Sequence, residues 1–328
     1  MASSELKLAI ISIMNQFYFS CEEIFSHPEL LLQNGITEFE LSDEKFLSDK
    51  TWLLTFLIKL QNLKNCPNIT FYVKPDVLDA KIVNLMCTIP CALQIDFLPD
   101  YLGDKKKFFS KKMALLNDSG LIFGFDIHVS QFPTIKQFKM SISESLSYYP
   151  NHLYFDTENL LPTEKLSTQD IKNIKRLSFA LETFYSAGRA VSWFMSVIYS
   201  LRLRPDAFFS DFAEWQDCNN CSQNSDFNLN QVSYDEIQKM QLSFLKLKYE
   251  EKNLSYIYPI AHDLVCLHGA FSSCDLDGTS STVELFYHPD DVLSPYAMDL
   301  RTFSDESYLE PCSVLVSSGK DGSELKIL

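Results

Sequence analysis

Glycine is scarce in this chain, with only nine among 328 residues. Glycine lets a backbone turn tightly and approach a phosphate closely, so phosphate cradles have little material here. The P-loop, the dinucleotide-binding G-x-G-x-x-G and the G-x-S-x-G nucleophile elbow are all missing. Basic residues are also few, 28 Lys and Arg against 43 Asp and Glu, for a formal charge of -15 and a pI near 4.8. That balance excludes a general attraction to nucleic acid, and no basic stripe interleaved with aromatics offsets it. The one basic cluster, Lys105, Lys106, Lys107, Lys111 and Lys112, has helical spacing and reads as the solvated face of a helix. No apolar run approaches the roughly 20 residues of a membrane helix. Leu8 to Met14 is too short to span, and Asn15 and Gln16 interrupt it as a leader segment with Cys21 as a lipid-modified cysteine, so it reads as a buried strand. Nine scattered cysteines do not form the dense framework of a secreted disulfide protein, and a reducing cytoplasm is the expected location.

What is present is a globular composition, 46% apolar, with a repeating unit of strand and helix between Gly35 and Thr163. Strands are predicted at Leu6 to Ile13, Ile36 to Leu41, Ile69 to Val73, Ala92 to Phe97, Gly120 to Val129 and His152 to Asp156. Helices fall between them: Asp49 to Leu63, Leu78 to Met86 after a Pro75 and Asp76 start, Lys106 to Leu116 and Ile135 to Tyr148. Six such units are too few to close an eight-stranded barrel. The expected fold class is α/β, an open partial (β/α)6 TIM-like barrel with a following helical segment and a small α+β C-terminal domain. The expected boundaries are 1–165 for the barrel, 166–216 for the helices and 217–328 for the last domain. In that domain a helix from Tyr234 to Tyr249 precedes β-like runs at Tyr256 to Ile260, Thr282 to Tyr287, Ser313 to Ser317 and Glu324 to Leu328. The last two form a hairpin around Gly319 to Ser323.

The order of Asp43 to Phe46, Lys74 to Asp76, Phe125 to Ile127 and Leu161 to Thr163 resembles the partial barrel of radical-SAM proteins. Phe184, Tyr185, Gly188, Arg189 and Trp193, then Phe208 to Trp215, resemble the helical segment that follows the barrel in the cobalamin-binding members. The resemblance spans Phe17 to Trp215. It implies a [4Fe-4S] cluster held by a C-x3-C-x2-C loop after the first strand, with one iron open to SAM. The corresponding segment, Met14 to Tyr18, has no cysteine, and the expected glycine-rich turn is His128 to Gln131 instead. An upstream cobalamin-binding domain is not expected either. Cluster and SAM are therefore expected to be absent, and no cofactor is predicted.

Three constellations remain as candidates. The strand ends of such a barrel carry Glu40, Asp43, Asp76, Asp96, Asp126, His128, Asp156 and Glu158, which could hold a divalent cation or a cationic ligand. Glu40, Asp43, Asp126, His128 and Asp156 are the leading members, although Asp43 and Asp76 also suit helix caps. Cys218 and Cys221 form a C-x2-C that could join Cys266, His268 or Cys274 at zinc, although two loop cysteines without metal are the simpler reading. Cys87 and Cys91, followed by Gln94, mimic a cluster motif three strands too late. The expected function is a catalytically degenerate radical-SAM-like protein acting as a binding or partner subunit, with a protein partner possible and neither nucleic acid nor membrane involved. The alternatives are the C-terminal portion of a split or truncated cobalamin-dependent radical-SAM enzyme, and a metal or small-ligand binder using the acidic barrel mouth.

Overall fold

The structure is a computed structural model that describes residues 21–33, 35–42, 47–320 and 322–328. The expected first strand, the Met14 to Tyr18 segment and Asp43 lie outside the described residues. In chain order the elements are α1 (Cys21–Ser26), α2 (Glu29–Gln33), β1 (Glu38–Leu41), α3 (Lys50–Gln61), β2 (Asn68–Tyr72), α4 (Ala80–Met86), β3 (Cys91–Asp96), α5 (Lys106–Ser119), β4 (Ile122–His128), α6 (Ile135–Leu146) and β5 (His152–Asp156). Then follow α7 (Thr168–Leu181), α8 (Phe194–Leu201), α9 (Pro205–Cys218), α10 (Tyr234–Glu251), α11 (Tyr258–Asp277), β6 (Ser281–Leu285), α12 (Pro289–Val292), α13 (Leu300–Glu306), β7 (Cys312–Ser318) and β8 (Ser323–Ile327). The chain forms two compact units, Met1–Pro133 with Tyr148–Asn159, and Thr134–Ser147 with Leu160–Leu328.

The first unit contains a five-stranded sheet in the order β1-β2-β3-β4-β5, and every neighbouring pair is parallel. Period-two alternation sorts its residues cleanly. Phe39, Leu41, Ile69, Phe71, Leu93, Ile95, Phe123, Phe125, Ile127, Leu153 and Phe155 are buried and share one face. Helix α5 packs there through Phe109, whose ring lies 5.6 Å from Phe125, 5.5 Å from Phe97 and 5.2 Å from Tyr148. The lysines predicted to solvate a face do so at Lys105, Lys106, Lys107 and Lys111, while Lys112 Nζ donates to Leu78 O.

Helix starts follow local capping chemistry. Asp49 accepts from the Thr51 and Trp52 N–H groups and begins α3 as predicted. Helix α4 starts later than expected: Asp79, not Asp76, accepts from Lys81 and Ile82. Residues 75–77 form a turn instead, because Pro75 leads into hydrogen bonds from Val77 to Lys74 O and from Leu78 to Pro75 O.

The second unit is helical around an aromatic cluster. Phe184 is its hub, with the rings of Trp193, Phe194, Phe208, Phe209, Phe212 and Phe244 at centroid distances between 4.9 and 6.3 Å. It sits in a π-helical turn, Glu182–Ser186, that continues α7. Gln241 of α10, fully buried, donates from Nε2 to Phe184 O at 2.7 Å and Gly188 O at 2.8 Å, satisfying carbonyls at the end of this wide turn. The residues behind the family resemblance in this stretch thus have a packing role.

Strands β6, β7 and β8 form an antiparallel sheet, which α11 covers at β6 and β7. The β7–β8 hairpin is as predicted, closed by Gly319 N–H to Gly322 O. Tyr256 to Ile260 is not a strand. It leads into the 20-residue α11, with Pro259 near the helix start, where its missing N–H costs nothing. The Tyr-Ile-Tyr-Pro-Ile composition favours β structure locally, and burial of Ile260, Ala261, Leu264, Val265 and Leu267 in the helix overrides it.

Candidate functional site

The opposite face of the parallel sheet is mostly polar. Alternation places Glu40 on β1, Thr70 and Tyr72 on β2, Gln94 and Asp96 on β3, Asp126 and His128 on β4, and His152 and Asp156 on β5. A side-chain network crosses three strands. His152 Nε2 lies 2.6 Å from Gln94 Oε1, and Gln94 Nε2 donates to Asp126 Oδ1 at 2.7 Å. Gln94 is only 5% exposed, so both ends of its amide are committed. Gly124, between Gln94 and His152 in register, makes this possible: a Cβ there would overlap the His152 ring. Tyr72 Oη donates to Glu40 Oε2 at 3.2 Å.

Burial sets the electrostatics of this face. Desolvation raises the Asp126 carboxyl, against the pull of the Gln94 hydrogen bond, with Asp96 and Glu40 adding repulsion. It lowers His152, which is therefore a neutral imidazole at pH 7. Tyr72 is pushed up to about 12 by burial, with Glu40 and Asp126 contributing. Glu40, Asp96 and Asp126 are the acidic groups near the network, and Lys74 is a cation on the wall of the adjoining cavity. A cavity of about 190 Å³ opens at the C-terminal ends of the strands, lined by Ser42, Ser48, Tyr72, Lys74, Gln94 and Asp96 among others.

Of the expected mouth residues, Glu40 and Asp96 each come within electrostatic reach of Asp126. His128 bonds Asp96 through Nε2 at 3.1 Å and pairs in register with Asp156. Asp76 and Glu158 are exposed in the turns beyond their strands, and Asp43 lies outside the described residues. Tyr72, Gln94 and His152 complete the face; sequence singled out neither Tyr72 nor His152, and named Gln94 only beside Cys87 and Cys91. Their signal is the even-numbered register they share with Asp96, Asp126 and Asp156.

The cysteines are dispersed. Cys87 and Cys91 sit at the opposite end of the sheet from the mouth, where β3 begins. Burial pushes the Cys91 thiol up to about 12, and its Sγ donates to Met86 O. Cys218 closes α9 and is exposed, with Cys221 half-buried just after. Cys266 and His268 on α11 are two residues apart, hence on opposite sides of the helix, and Cys274 is two turns on, about 12 Å along the axis. Among the described residues no group of three or more His, Cys, Asp or Glu side chains is placed to hold a metal ion. No described helix is long and apolar enough to cross a membrane.

A second site lies in the second unit. His262, Asp263 and Cys266 stand on α11, with His262 Nδ1 2.9 Å from Asp263 Oδ1 and Nε2 3.6 Å from Cys266 Sγ. Asp263 is completely buried, and its Oδ2 accepts from the Phe286 and Tyr287 N–H groups at 2.7 and 2.9 Å. His262 and Cys266 line a cavity of about 640 Å³. Their i, i+4 spacing is legible in sequence. The third partner is not, because its orientation depends on backbone donors more than twenty residues later.

Burial alone would lower His262, but its bonds to Asp263 and Cys266 raise it to about 9. A base whose folded pKa exceeds its ordinary 6.5 contributes stability fully present below that value and lost as pH rises toward 9. At about 1.4 kcal/mol per unit the displacement is worth roughly 3 kcal/mol. The expected result is that the stability advantage of the wild type over His262→Gln, measured by urea unfolding, shrinks by that order between pH 6.5 and 9. An advantage that stays constant across the window rejects the assignment.

The chain matches no family model, no curated protein and no solved structure.

Proposed function

We propose that the parallel sheet is the core of an open partial barrel, and that the chain is a binding subunit, silent in radical-SAM chemistry, which holds a small cationic ligand on the polar face. The observation that carries this reading is the His152–Gln94–Asp126 network, with Glu40 and Tyr72 beside it. Sheet faces packed only for stability bury apolar residues, and three strands here invest polar ones in a fixed arrangement next to a cavity. Strand order following chain order supports the barrel, since successive crossovers of one hand then curl the sheet one way. A ligand cation would complement Glu40, Asp96 and Asp126, with the Gln94 amide holding Asp126 in place.

The test is anaerobic purification with iron and sulphide analysis, followed by calorimetry with putrescine, choline and SAM. The expected result is no iron or sulphide, no SAM cleavage, and binding of at least one of the two amines. Asp126→Asn, which keeps the size and removes the charge, should weaken that binding tenfold or more, about 1.4 kcal/mol. A bound cluster that cleaves SAM, or failure of both amines to bind at millimolar concentration, overturns the reading.

A further inference from the structure

The Cys266 site is independent of the sheet and its chemistry differs. A thiol, an imidazole and a carboxylate stand in line, Sγ to Nε2 at 3.6 Å and Nδ1 to Oδ1 at 2.9 Å. This is the order a cysteine nucleophile requires: a base within reach of the sulphur, and a third group that fixes the base. Asp263 is held by two backbone donors and cannot swing away. A cysteine present only for packing needs none of this, and Cys274, buried on the same helix, contacts only the Ser318 hydroxyl among its described polar partners.

The cavity supplies a further element. Tyr234 lines it, and its buried hydroxyl has the Gln238 amide beside it and no acceptor for its O–H among the described residues. Burial pushes that phenol up to about 12, so it is a neutral O–H donor at physiological pH. The hydroxyl lies against Gly269, one turn along α11 from Cys266, where a Cβ would collide with it and with the Gln238 amide. An unpaired donor in a cavity beside a thiol is placed to receive a developing oxyanion.

We propose that Cys266 is a nucleophile for acyl transfer, with His262 as its base and Asp263 as a positioning residue, and that the cavity takes small polar esters. His262, raised to about 9, acts in the neutral form it gains as pH rises toward that value. As Sγ attacks the carbonyl carbon, its proton passes to His262 Nε2. A C–S bond forms, and the carbonyl π pair moves onto oxygen, which accepts from Tyr234 O–H. Collapse expels the alcohol, which leaves with the proton from His262, and a thioester remains on Cys266. Water then adds with His262 taking its proton, releasing the acid and restoring the thiol, so that ester and water give acid and alcohol. Lys239, Ser273 and Thr282 on the cavity wall suit a polar acyl group.

Two measurements on the full chain test this. Limiting iodoacetamide, read cysteine by cysteine by peptide mass spectrometry, should label half-buried Cys266 faster than the more exposed Cys87 and Cys218, a comparison that needs no variant. p-Nitrophenyl acetate should give a burst of p-nitrophenolate with the acetyl group on Cys266. His262→Gln should slow acetylation by about 100-fold and Cys266→Ser should abolish the burst. Labelling of Cys266 no faster than Cys87 and Cys218, or acetylation elsewhere with Cys266 unmodified, overturns the proposal.

Discussion

Replacing Asp263 by alanine should lower the stability of the second unit by about 3–5 kcal/mol, the cost of removing one partner from a buried charged pair. The reason is the number of donors that converge on one carboxylate. Phe286 and Tyr287 point their N–H groups at Oδ2, and His262 points Nδ1 at Oδ1. In the alanine variant two backbone donors and one ring nitrogen lose their acceptor together, in a site where Asp263 itself has no exposure. Each such loss costs about 1–3 kcal/mol when water cannot replace the partner. Urea unfolding gives the total, and amide exchange at Phe286 and Tyr287 locates it. Loss under about 1 kcal/mol, with both amides still protected, would mean that the chain after β6 is held by something else.

Gly188→Ala should cost about 3 kcal/mol for a different reason. A Cβ at this position would overlap the carbonyl oxygen of Phe184 and the Gln241 amide. The first is backbone in a π-helical turn, and the second is a buried side chain already bonded to Phe184 O and Gly188 O. Neither can move without opening those bonds or displacing the ring of Phe184, which touches six other aromatics. Overpacking of this kind costs about 1–3 kcal/mol, and the Gln241 bonds add about 1 kcal/mol each if broken. Lys107→Ala is the control: its side chain is exposed on α5, and its effect should stay within about 0.5 kcal/mol. A thermal melt of both variants separates the cases, and equal midpoints would refute the close approach at Gly188.

Much of the first unit is legible in sequence because its strands obey a period of two and α3 opens at the Asp49 cap, while α5 opens at Lys105 with no side-chain cap. Phe123, Phe125 and Ile127 alternate with Gly124, Asp126 and His128, so the pattern already separates two faces. What the pattern omits is which polar residues meet. His152 reaches Gln94 only across β4, over a glycine, and strand register is needed to see it. In the second unit, α11 is hidden by its own composition. Its first residues favour a strand locally, and burial of Ile260, Ala261 and Leu264 on the helix overrides that preference.

The sequence by itself determined the absence of a three-cysteine loop at Met14 to Tyr18, the acidic balance, the alternating strands and the capped helices, because these depend on neighbours a few residues apart. The tertiary structure alone decided that Gln94 ties Asp126 to His152, that Gly188 yields its space to Phe184 and Gln241, and that Asp263 turns His262 toward Cys266. The first two join groups from separate elements, and in the third the Phe286 and Tyr287 N–H groups beyond β6 fix the Asp263 carboxylate on α11. Directional hydrogen bonds and close packing fix such meetings only after the chain has folded, when burial removes the water that would otherwise compete for the same donors and acceptors.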